Sequence, residues 1–170
     1  MKNDEIALRR GRPADHAAMK AILRATFEST WRPAISAAAA EAYLAADRAG
    51  AYVDRFGGDF WVAERDGEII GLAHWRGDFI DALHVRPGHA RRGIGRLLLA
   101  RAEQEIAKAR FAQVWLETDT FNEGACAFYA AQGYTETDRY PDQEWNSGLT
   151  TIAFVKSLGA RCESDAAQGA

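Results

Sequence analysis

Hydrophobic and polar positions change their spacing several times along the 170-residue chain. Short alternating or continuous apolar runs are typical of β-strands, and apolar residues three or four positions apart are typical of amphipathic helices. By this criterion we predict strands at 5–9, 60–64, 68–75, 79–85, 112–118 and 149–158, and one that starts at residue 134. Helices are predicted over 15–27, over 34–49, over 94–106 and after residue 122.

The order of these segments predicts a mixed α/β domain. The Asp66-Gly67 pair between the second and third strands favours a tight hairpin, so we expect these two strands to be antiparallel. A helix connects the fourth strand to the fifth, and a right-handed crossover of this kind makes them parallel neighbours. We therefore expect a mixed, mostly antiparallel central sheet of about seven strands, flanked by helices on both faces.

Composition and charge narrow the class of protein. The chain is 48% hydrophobic and 26% charged, as in globular domains, and its net charge of −3 argues against a nucleic-acid partner. No apolar run reaches the ~18 residues of a membrane span, and the two cysteines lack a disulfide or metal-ligand spacing. We expect a cytoplasmic protein that uses no metal and binds no membrane, with a single domain over 1–158 and a flexible tail over 159–170.

A glycine turn with three arginines lies between the fourth strand and its helix. It reads Arg91-Arg92-Gly93-Ile94-Gly95-Arg96. The first amides of a helix have no partner within the helix and carry partial positive charge, and glycine leaves them accessible to a phosphate group. Arginine side chains add charge and can hold phosphate oxygens at two points. The turn therefore indicates a phosphorylated ligand; the alternative is a tight turn with solvated arginines.

Two common phosphate-binding motifs do not match this turn. A P-loop has Lys-Ser or Lys-Thr after its last glycine, where this chain has Ile94-Gly95. A dinucleotide-binding fingerprint has a third glycine at the position of Leu98. The phosphorylated ligand therefore belongs to another class.

The turn resembles the cofactor motif of the GCN5-related N-acetyltransferase (GNAT) family, Gln/Arg-x-x-Gly-x-Gly/Ala at the start of a helix. Gly93 and Gly95 match its two small positions. Ala90 stands where the family has Gln or Arg, with Arg91 and Arg92 supplying charge next to it.

A second motif, at residues 122–134, resembles the family's Asn-x-x-Ala-x-x-Phe-Tyr-x-x-x-Gly-Phe/Tyr. Asn122 also has a structural explanation as a helix N-cap, Tyr129 as a core aromatic residue, and Gly133 as the end of the helix. The two motifs occur in the order that the family uses. Together they favour the functional interpretation over the structural one.

The resemblance implies the acyl-coenzyme A N-acyltransferase fold, with acetyl-coenzyme A (acetyl-CoA) as cosubstrate. In the family, strands four and five splay apart in a V, aided by a bulge, and the pantetheine arm lies between them. Strand alternation points the side chain of His84 away from those of its neighbours, and the alternative for His84 is a polar residue on the solvated side. The residues that the resemblance places at acetyl-CoA are Leu83, His84, Val85, Arg91, Arg92, Gly93, Ile94, Gly95, Arg96, Asn122 and Tyr129.

Acetyl transfer to an amine requires a proton acceptor, an oxyanion donor and a proton for the departing thiolate. Glu117, at the end of a strand that lines the cleft, is the candidate base, acting through water; its alternative is a solvated surface carboxylate. The backbone N–H of Val85 is the candidate hydrogen-bond donor to the oxyanion that forms during the reaction. Tyr129 is the candidate general acid, because a phenol is protonated at neutral pH, and the family resemblance points to the same residue.

The acceptor is specified only as a primary amine, of a small molecule or of a peptide. Glu28, Trp31 and Trp75 are predicted substrate contacts, with His74 and Trp145 as further candidates, because carboxylates and aromatic rings suit a cationic amine. We expect direct attack on acetyl-CoA in a ternary complex. The alternative is a non-catalytic acyl-CoA-binding sensor. A homodimer is one of the oligomeric states that the sequence leaves open.

Overall fold

Seven strands form one mixed sheet in the part of the chain that the computed structural model describes, residues 5–145 and 147–159. The strands are β1 (Ala7–Arg10), β2 (Trp61–Arg65), β3 (Glu68–Arg76), β4 (Phe79–Val85), β5 (Gln113–Asp119), β6 (Thr135–Pro141) and β7 (Thr150–Ser157). Their order in the sheet is β1-β2-β3-β4-β5-β7-β6, and β4 with β5 forms the parallel pair. The predicted fold class is confirmed.

The β2–β3 hairpin turn has the conformation that its sequence predicts. Asp66 and Gly67 have φ angles of 52° and 76°. A two-residue turn whose central residues both have positive φ matches the right-handed twist of the flanking strands. Glycine adopts this conformation freely, and Asp adopts it more easily than most residues. The turn therefore helps to set the register in which β2 pairs with β3.

Five α-helices cover the two faces of the sheet in the described residues. They are α1 (His16–Thr26), α2 (Ala37–Ala46), α3 (Arg48–Phe56), α4 (Ile94–Lys108) and α5 (Glu123–Ala131). On one face, α1 and α3 pack over a core that includes Phe60, which directly precedes β2, and Leu72 of β3. On the other face, α4 and α5 cover Val114 and Leu116 of β5. Each fully buried aliphatic side chain of these cores contributes about 1.5–3 kcal/mol, which holds the helices on the sheet.

The alanine-rich segment forms two helices, so the prediction of one helix over 34–49 is wrong. Asp47 has φ 43°, where α2 ends, and its carboxylate accepts a hydrogen bond from the Gly50 backbone N–H at the start of α3. A Cβ atom on Gly50 would lie 2.3 Å from that carboxylate. Helix propensity indicates that the segment is helical, but tertiary packing and the Asp47 cap decide where it turns.

The segment after α1 brings an aromatic residue toward the sheet. The helix predicted over 15–27 is present as α1, which ends at Thr26. The chain continues into a wider turn, Phe27–Trp31, and a 3-10 turn, Arg32–Ala34. Pro33 has no backbone N–H to donate, so it cannot continue the helical hydrogen bonding. This turn places Trp31 opposite the end of β5.

Other boundaries differ from the predictions by one to a few residues. The strand predicted to start at residue 134 is β6, Thr135–Pro141. Residues 160–170 of the predicted tail lie outside the described residues. Within the described part of the chain, no helix has the length and apolar character needed to cross a membrane.

Candidate active site

β4 and β5 part from each other after a short stretch of pairing. They pair at Phe79 with Trp115 and at Ile80 with Leu116. Beyond this point β4 continues along β3 as far as Val85, and β5 continues along β7. A gap therefore opens between the ends of the two parallel strands, and the expected V-shaped splay is confirmed.

A β-bulge lies where the gap begins. His74 of β3 is opposite Ala82, and the next residue, Trp75, is opposite Ile80, so Asp81 is the extra residue of β4. A bulge bends its strand and places two successive side chains on one face. Asp81 therefore lies on the same face of the sheet as Ala82, the face that carries α1 and α3.

The backbone of β4 presents free polar groups to the gap. The Arg86 N–H donates to the Ile70 carbonyl of β3 at 2.8 Å. Backbone groups of successive strand residues point in opposite directions, so those of His84 also face β3, and those of Leu83 and Val85 face the gap. These two residues have no partner in β5, because the pairing ends at Ile80.

The turn before α4 forms an exposed group of amides. Gly93 precedes the helix with φ 79°, and its carbonyl accepts the helical hydrogen bond from Leu97 at 3.0 Å. The amides of residues 94–96 therefore have no partner within α4. A Cβ atom on Gly93 would meet nothing within 4 Å, so the space in front of these amides is open. This open cradle fits a phosphate group.

The three arginines of the turn are next to these amides in the chain. Arg91, Arg92 and Arg96 are exposed, and none forms an ion pair with another side chain of the described residues. A Cβ atom on Gly95 would lie 3.6 Å from both Val85 of β4 and Phe128 of α5. The start of α4 is therefore held between the end of β4 and α5, which brings the two motifs together.

The second motif forms α5 as predicted. The Asn122 side-chain oxygen accepts a hydrogen bond from the Ala125 N–H at 3.2 Å, and Gly133, with φ 89°, follows the helix. Tyr129 is 8% exposed and packs beside Tyr134. Burial raises the pKa of Tyr129 above its ordinary value. Within the described residues its hydroxyl has no hydrogen-bond partner, so the proton stays on an oxygen that is free to donate it.

A cavity of about 860 Å³ lies beside the gap on the face of the sheet that carries α1 and α3, opposite the face that carries α4. It is bounded by the end of α1 and the following turn, by β4 and β5, and by the loop between β6 and β7. Its charged lining residues are predominantly acidic. They are Asp81, Glu117, Asp119, Asp142 and Glu144, with Arg48 and Arg76.

Two links cross this cavity. Near the gap, the Trp31 indole N–H donates to the Asp119 carboxylate at 2.7 Å. Farther out, the Trp145 ring lies 5.0 Å from the Tyr43 ring, and Arg48 donates to the Glu144 carbonyl at 2.9 Å. The helical side and the strand side of the cavity are therefore in contact at two places.

The carboxylates around the cavity affect one another's pKa. Burial raises the pKa of Asp119, and the nearby Asp142 and Glu117 raise it further, although the Trp31 hydrogen bond opposes them. Burial also raises the pKa of Glu144, again with a contribution from Glu117 and Asp142. Glu117 accepts a hydrogen bond from the Tyr140 hydroxyl. This region holds more negative charge than its own arginines neutralise, which suits a cationic ligand.

The predicted substrate contacts are divided by their position. Trp31 and Trp145 line the cavity. The side chain of His84, which the family resemblance placed at acetyl-CoA, lines this cavity too. Trp75 instead packs toward α4, because adjacent strand residues face opposite sides and His74 takes the cavity face. His74 is 1% exposed and contacts the Tyr52 hydroxyl through Nδ1, below the cavity wall. Glu28 does not line the cavity, and its carboxylate pairs with Arg32 at 2.7 Å.

Several cavity residues were not predicted from the sequence, among them Thr26, Tyr140 and Asp119. Thr26 and Tyr140 lie on separate elements, and no local motif marks either of them. Asp119 follows Glu117 by two positions on β5, so strand alternation alone places both on the same face. That spacing was the available indication for Asp119.

Comparison with known proteins identifies the family. The profile of the acetyltransferase (GNAT) family matches residues 17–134, which include both motifs, and the chain belongs to this family.

The relatives differ in their named substrates. The chain is 37% identical to the peptidyl-lysine N-acetyltransferase YiaC of Escherichia coli K12 over 79 residues, 46% of this chain and 51% of the relative. It is 32% identical to the blasticidin-S acetyltransferase of Streptomyces morookaense over 95 residues, 56% of this chain and 68% of the relative. The chain thus spans about half the length of the first relative and about two thirds of the second.

The fold is also found among solved structures. The crystal structure of a GCN5-related N-acetyltransferase from Rhodopseudomonas palustris matches with a TM-score of 0.78 at 27% identity. The match covers 92% of this chain and 98% of that one. The matched sheet and helices therefore cover nearly the whole of that structure.

Proposed function

We propose that this protein is an N-acetyltransferase that moves the acetyl group of acetyl-CoA to a primary amine by direct attack in a ternary complex. The observation that carries the proposal is the gap between β4 and β5. On one face it adjoins exposed amides that suit a pyrophosphate, and on the other an acidic cavity that suits an amine. Ligands of open α/β sheets bind at junctions of this kind, beyond the carboxyl ends of the strands.

In this proposal acetyl-CoA binds on the α4 face. Its pyrophosphate accepts hydrogen bonds from the amides of residues 94–96, and Arg91, Arg92 and Arg96 pair with the phosphate oxygens. The pantetheine arm lies in the gap, where its amides bond the free backbone groups of Leu83 and Val85. Asn122 and Tyr129 lie beside its sulfur end.

The chemistry uses groups at the gap. Glu117 removes a proton from the bound ammonium through water, and the freed lone pair attacks the thioester carbon. The Val85 N–H stabilises the oxyanion. As the C–S bond breaks, the thiolate takes the proton of the Tyr129 hydroxyl, which solvent then replaces. Cys126 is a poor nucleophile for an acyl intermediate, because burial raises the pKa of its thiol; Cys162 lies outside the described residues.

The acceptor binds in the cavity on the other face as a cation. Its charge is favoured by Glu117, Asp119 and Glu144, and its apolar part by the rings of Trp31 and Trp145. Because the cavity lies between two walls, a small molecule or one flexible side chain suits it. A volume of 300–1,000 Å³ is common for such ligand pockets, roughly the size observed here.

The test is the release of free CoA thiol from acetyl-CoA in the presence of a panel of primary amines. The panel includes aliphatic diamines, aromatic amines, free lysine and lysine peptides. We expect release with at least one of them, and mass spectrometry should find the acetyl group on its amine. If the protein binds acetyl-CoA in calorimetry but no amine gives release above the rate without amine, the sensor alternative replaces the enzyme.

A further inference from the structure

His84 has a specific partner on the side of the gap that holds the acidic cavity. Its ring lines the cavity, and Nδ1 lies 3.0 Å from the Thr26 hydroxyl oxygen, in the last turn of α1. Thr26 is 8% exposed, so solvent contributes little to this contact. The Trp31 ring centre lies 6.1 Å from that of His84. The imidazole is therefore held between α1, the following turn and the gap.

The Thr26 hydroxyl determines which imidazole nitrogen carries the proton. That hydroxyl donates to the Leu23 carbonyl at 3.0 Å. A hydroxyl has one proton, so its oxygen acts as the acceptor in the contact with His84. Nδ1 is then the N–H nitrogen, and the lone pair resides on Nε2, the nitrogen that Thr26 leaves free.

The ring is neutral near pH 7, because burial lowers the pKa of His84 to about 4. Within the described residues, no charged side chain is hydrogen-bonded to it. The charged or titratable groups that share its cavity are Glu117 and Asp119 on β5, Tyr140 on β6, Asp142 and Glu144 after β6, and Arg48, Tyr43, Tyr52, Arg76 and Asp81 along the remaining walls. Nε2 is consequently available as a proton acceptor under ordinary conditions.

The proposed reaction needs two proton acceptors. The amine arrives as an ammonium ion and loses one proton before attack, since its pKa is near ~10.4 for a lysine-like group. The same nitrogen is positively charged again once the N–C bond forms, and it loses a second proton to become an amide. Overall, one proton ends on the CoA thiol and one in solvent. Glu117 accounts for the first loss, and the second has no assigned acceptor.

We propose that Nε2 of His84 accepts this second proton, and that Thr26 is a positioning residue that holds the ring in the Nδ1–H form. The inference rests on the proposed function. In this step the N–H bond breaks, its electron pair stays on the nitrogen, and the proton moves to Nε2, from which it passes to solvent. A nitrogen bonded to the tetrahedral carbon is more acidic than a free ammonium, which reduces the pKa difference that the transfer to the weakly basic imidazole must overcome.

Variants at both positions test the assignment. His84→Gln retains a hydrogen-bonding side chain but cannot take up the proton, so kcat should fall about a hundredfold while the acetyl-CoA Kd is unchanged. Thr26→Val keeps the shape of Thr26 without its hydroxyl, and kcat should fall about tenfold, the lower range for groups that orient an imidazole. Thr26→Ser retains the hydroxyl and should keep kcat within about twofold of the native value.

The paired Thr26 variants separate positioning from packing. If Thr26 acts through shape alone, Thr26→Val is active and Thr26→Ser is impaired, which overturns the assignment. A native kcat in folded His84→Gln also overturns it. Circular dichroism and acetyl-CoA affinity identify a variant that fails to fold, and the Thr26 pair then provides the test.

The tautomer can be measured without any activity. In protein labelled with ¹⁵N-histidine, the His84 resonances should show a protonated Nδ1 and an unprotonated Nε2 in the native chain, and a mixture in Thr26→Val. A protonated Nε2 in the native chain contradicts the inference, whether or not the protein is an enzyme. Absence of thiol release from the native protein with every amine instead contradicts the proposed function.

Discussion

The two faces of the β4–β5 gap are built in different ways. The face proposed for acetyl-CoA, called the acetyl-CoA face below, comes largely from one strand–turn–helix unit, in which Val85, Gly93 and Gly95 are near neighbours in sequence. The face proposed for the amine, called the acceptor face, takes Thr26 from α1, His84 from β4 and further side chains from β5 and β6. A contiguous site depends on local rules for turns and helix starts, and a dispersed site depends on how the whole domain packs.

This difference predicts that the two faces respond separately to substitution. Changes at the α4 turn should alter acetyl-CoA affinity, and changes at the cavity should alter the amine KM or kcat while acetyl-CoA affinity is retained. The following substitutions test that separation, beginning with the largest expected effect.

Gly93→Asp should weaken acetyl-CoA binding by about 4 kcal/mol, or about a thousandfold in Kd. The new carboxylate lies at the positive end of α4, in the space proposed for the pyrophosphate. There it repels phosphate and accepts hydrogen bonds from the amides that the phosphate would use. A Cβ there meets nothing within 4 Å, so the cost to the fold is limited to the backbone strain of a side chain at φ 79°. Isothermal titration calorimetry with acetyl-CoA measures the effect.

Gly93→Asn is the matched control for this substitution. It adds a side chain of the same shape at the same positive φ of 79°, but without charge. Asn and Asp both tolerate this conformation better than most residues, so backbone strain is similar in the two variants. Asn should lose far less affinity than Asp, and equal losses would contradict a phosphate site at this turn.

Tyr129→Phe should lower kcat about a hundredfold with little change in the acetyl-CoA Kd. Because the hydroxyl has no partner within the described residues, its removal should leave the packing against Tyr134 intact. Steady-state rates of thiol release, with calorimetry for the cofactor, give both quantities. An unchanged kcat would remove Tyr129 from the acid role while leaving the acetyl-CoA face as proposed.

The sequence predicted the local features of the gap well. The glycine turn, the Asn122 cap and the parallel β4–β5 pair each follow from short-range patterns and are present in the structure. The turn between α2 and α3 at Asp47 was missed because a run of alanines favours helix at every position.

The acceptor face was predicted less well for a related reason. Trp75 was a substrate candidate by residue type, but strand geometry turns it to the opposite face. The bulge that brings Asp81 to the cavity depends on pairing with β3. The contact of Thr26 with His84 joins elements far apart in sequence. Residue type and local spacing carry no information about such contacts.

Glu117→Gln should lower kcat/KM about tenfold at pH 7. This loss is smaller than that expected for a base that contacts the amine directly, because water can replace part of a relayed proton transfer. The defect should shrink as the pH rises toward the amine pKa, near ~10.4 for a lysine-like acceptor, because more of the amine then arrives neutral. The ratio of native to variant kcat/KM between pH 7 and 10 measures this. A ratio independent of pH would contradict a role in deprotonating the amine.

Trp31→Phe should have the smallest effect, about a fivefold rise in the amine KM. It removes the indole N–H that Asp119 accepts at 2.7 Å, a hydrogen bond to a charged group worth about 1.5 kcal/mol at the low end, of which solvent entering the cavity restores a part. Asp119 then loses a fixed orientation toward the amine. Phe121→Leu is the control, since it alters the edge contact of the Trp31 ring, at 6.3 Å, but leaves the hydrogen bond. If Trp31→Phe raised the acetyl-CoA Kd instead of the amine KM, the two faces of the gap would not be separable.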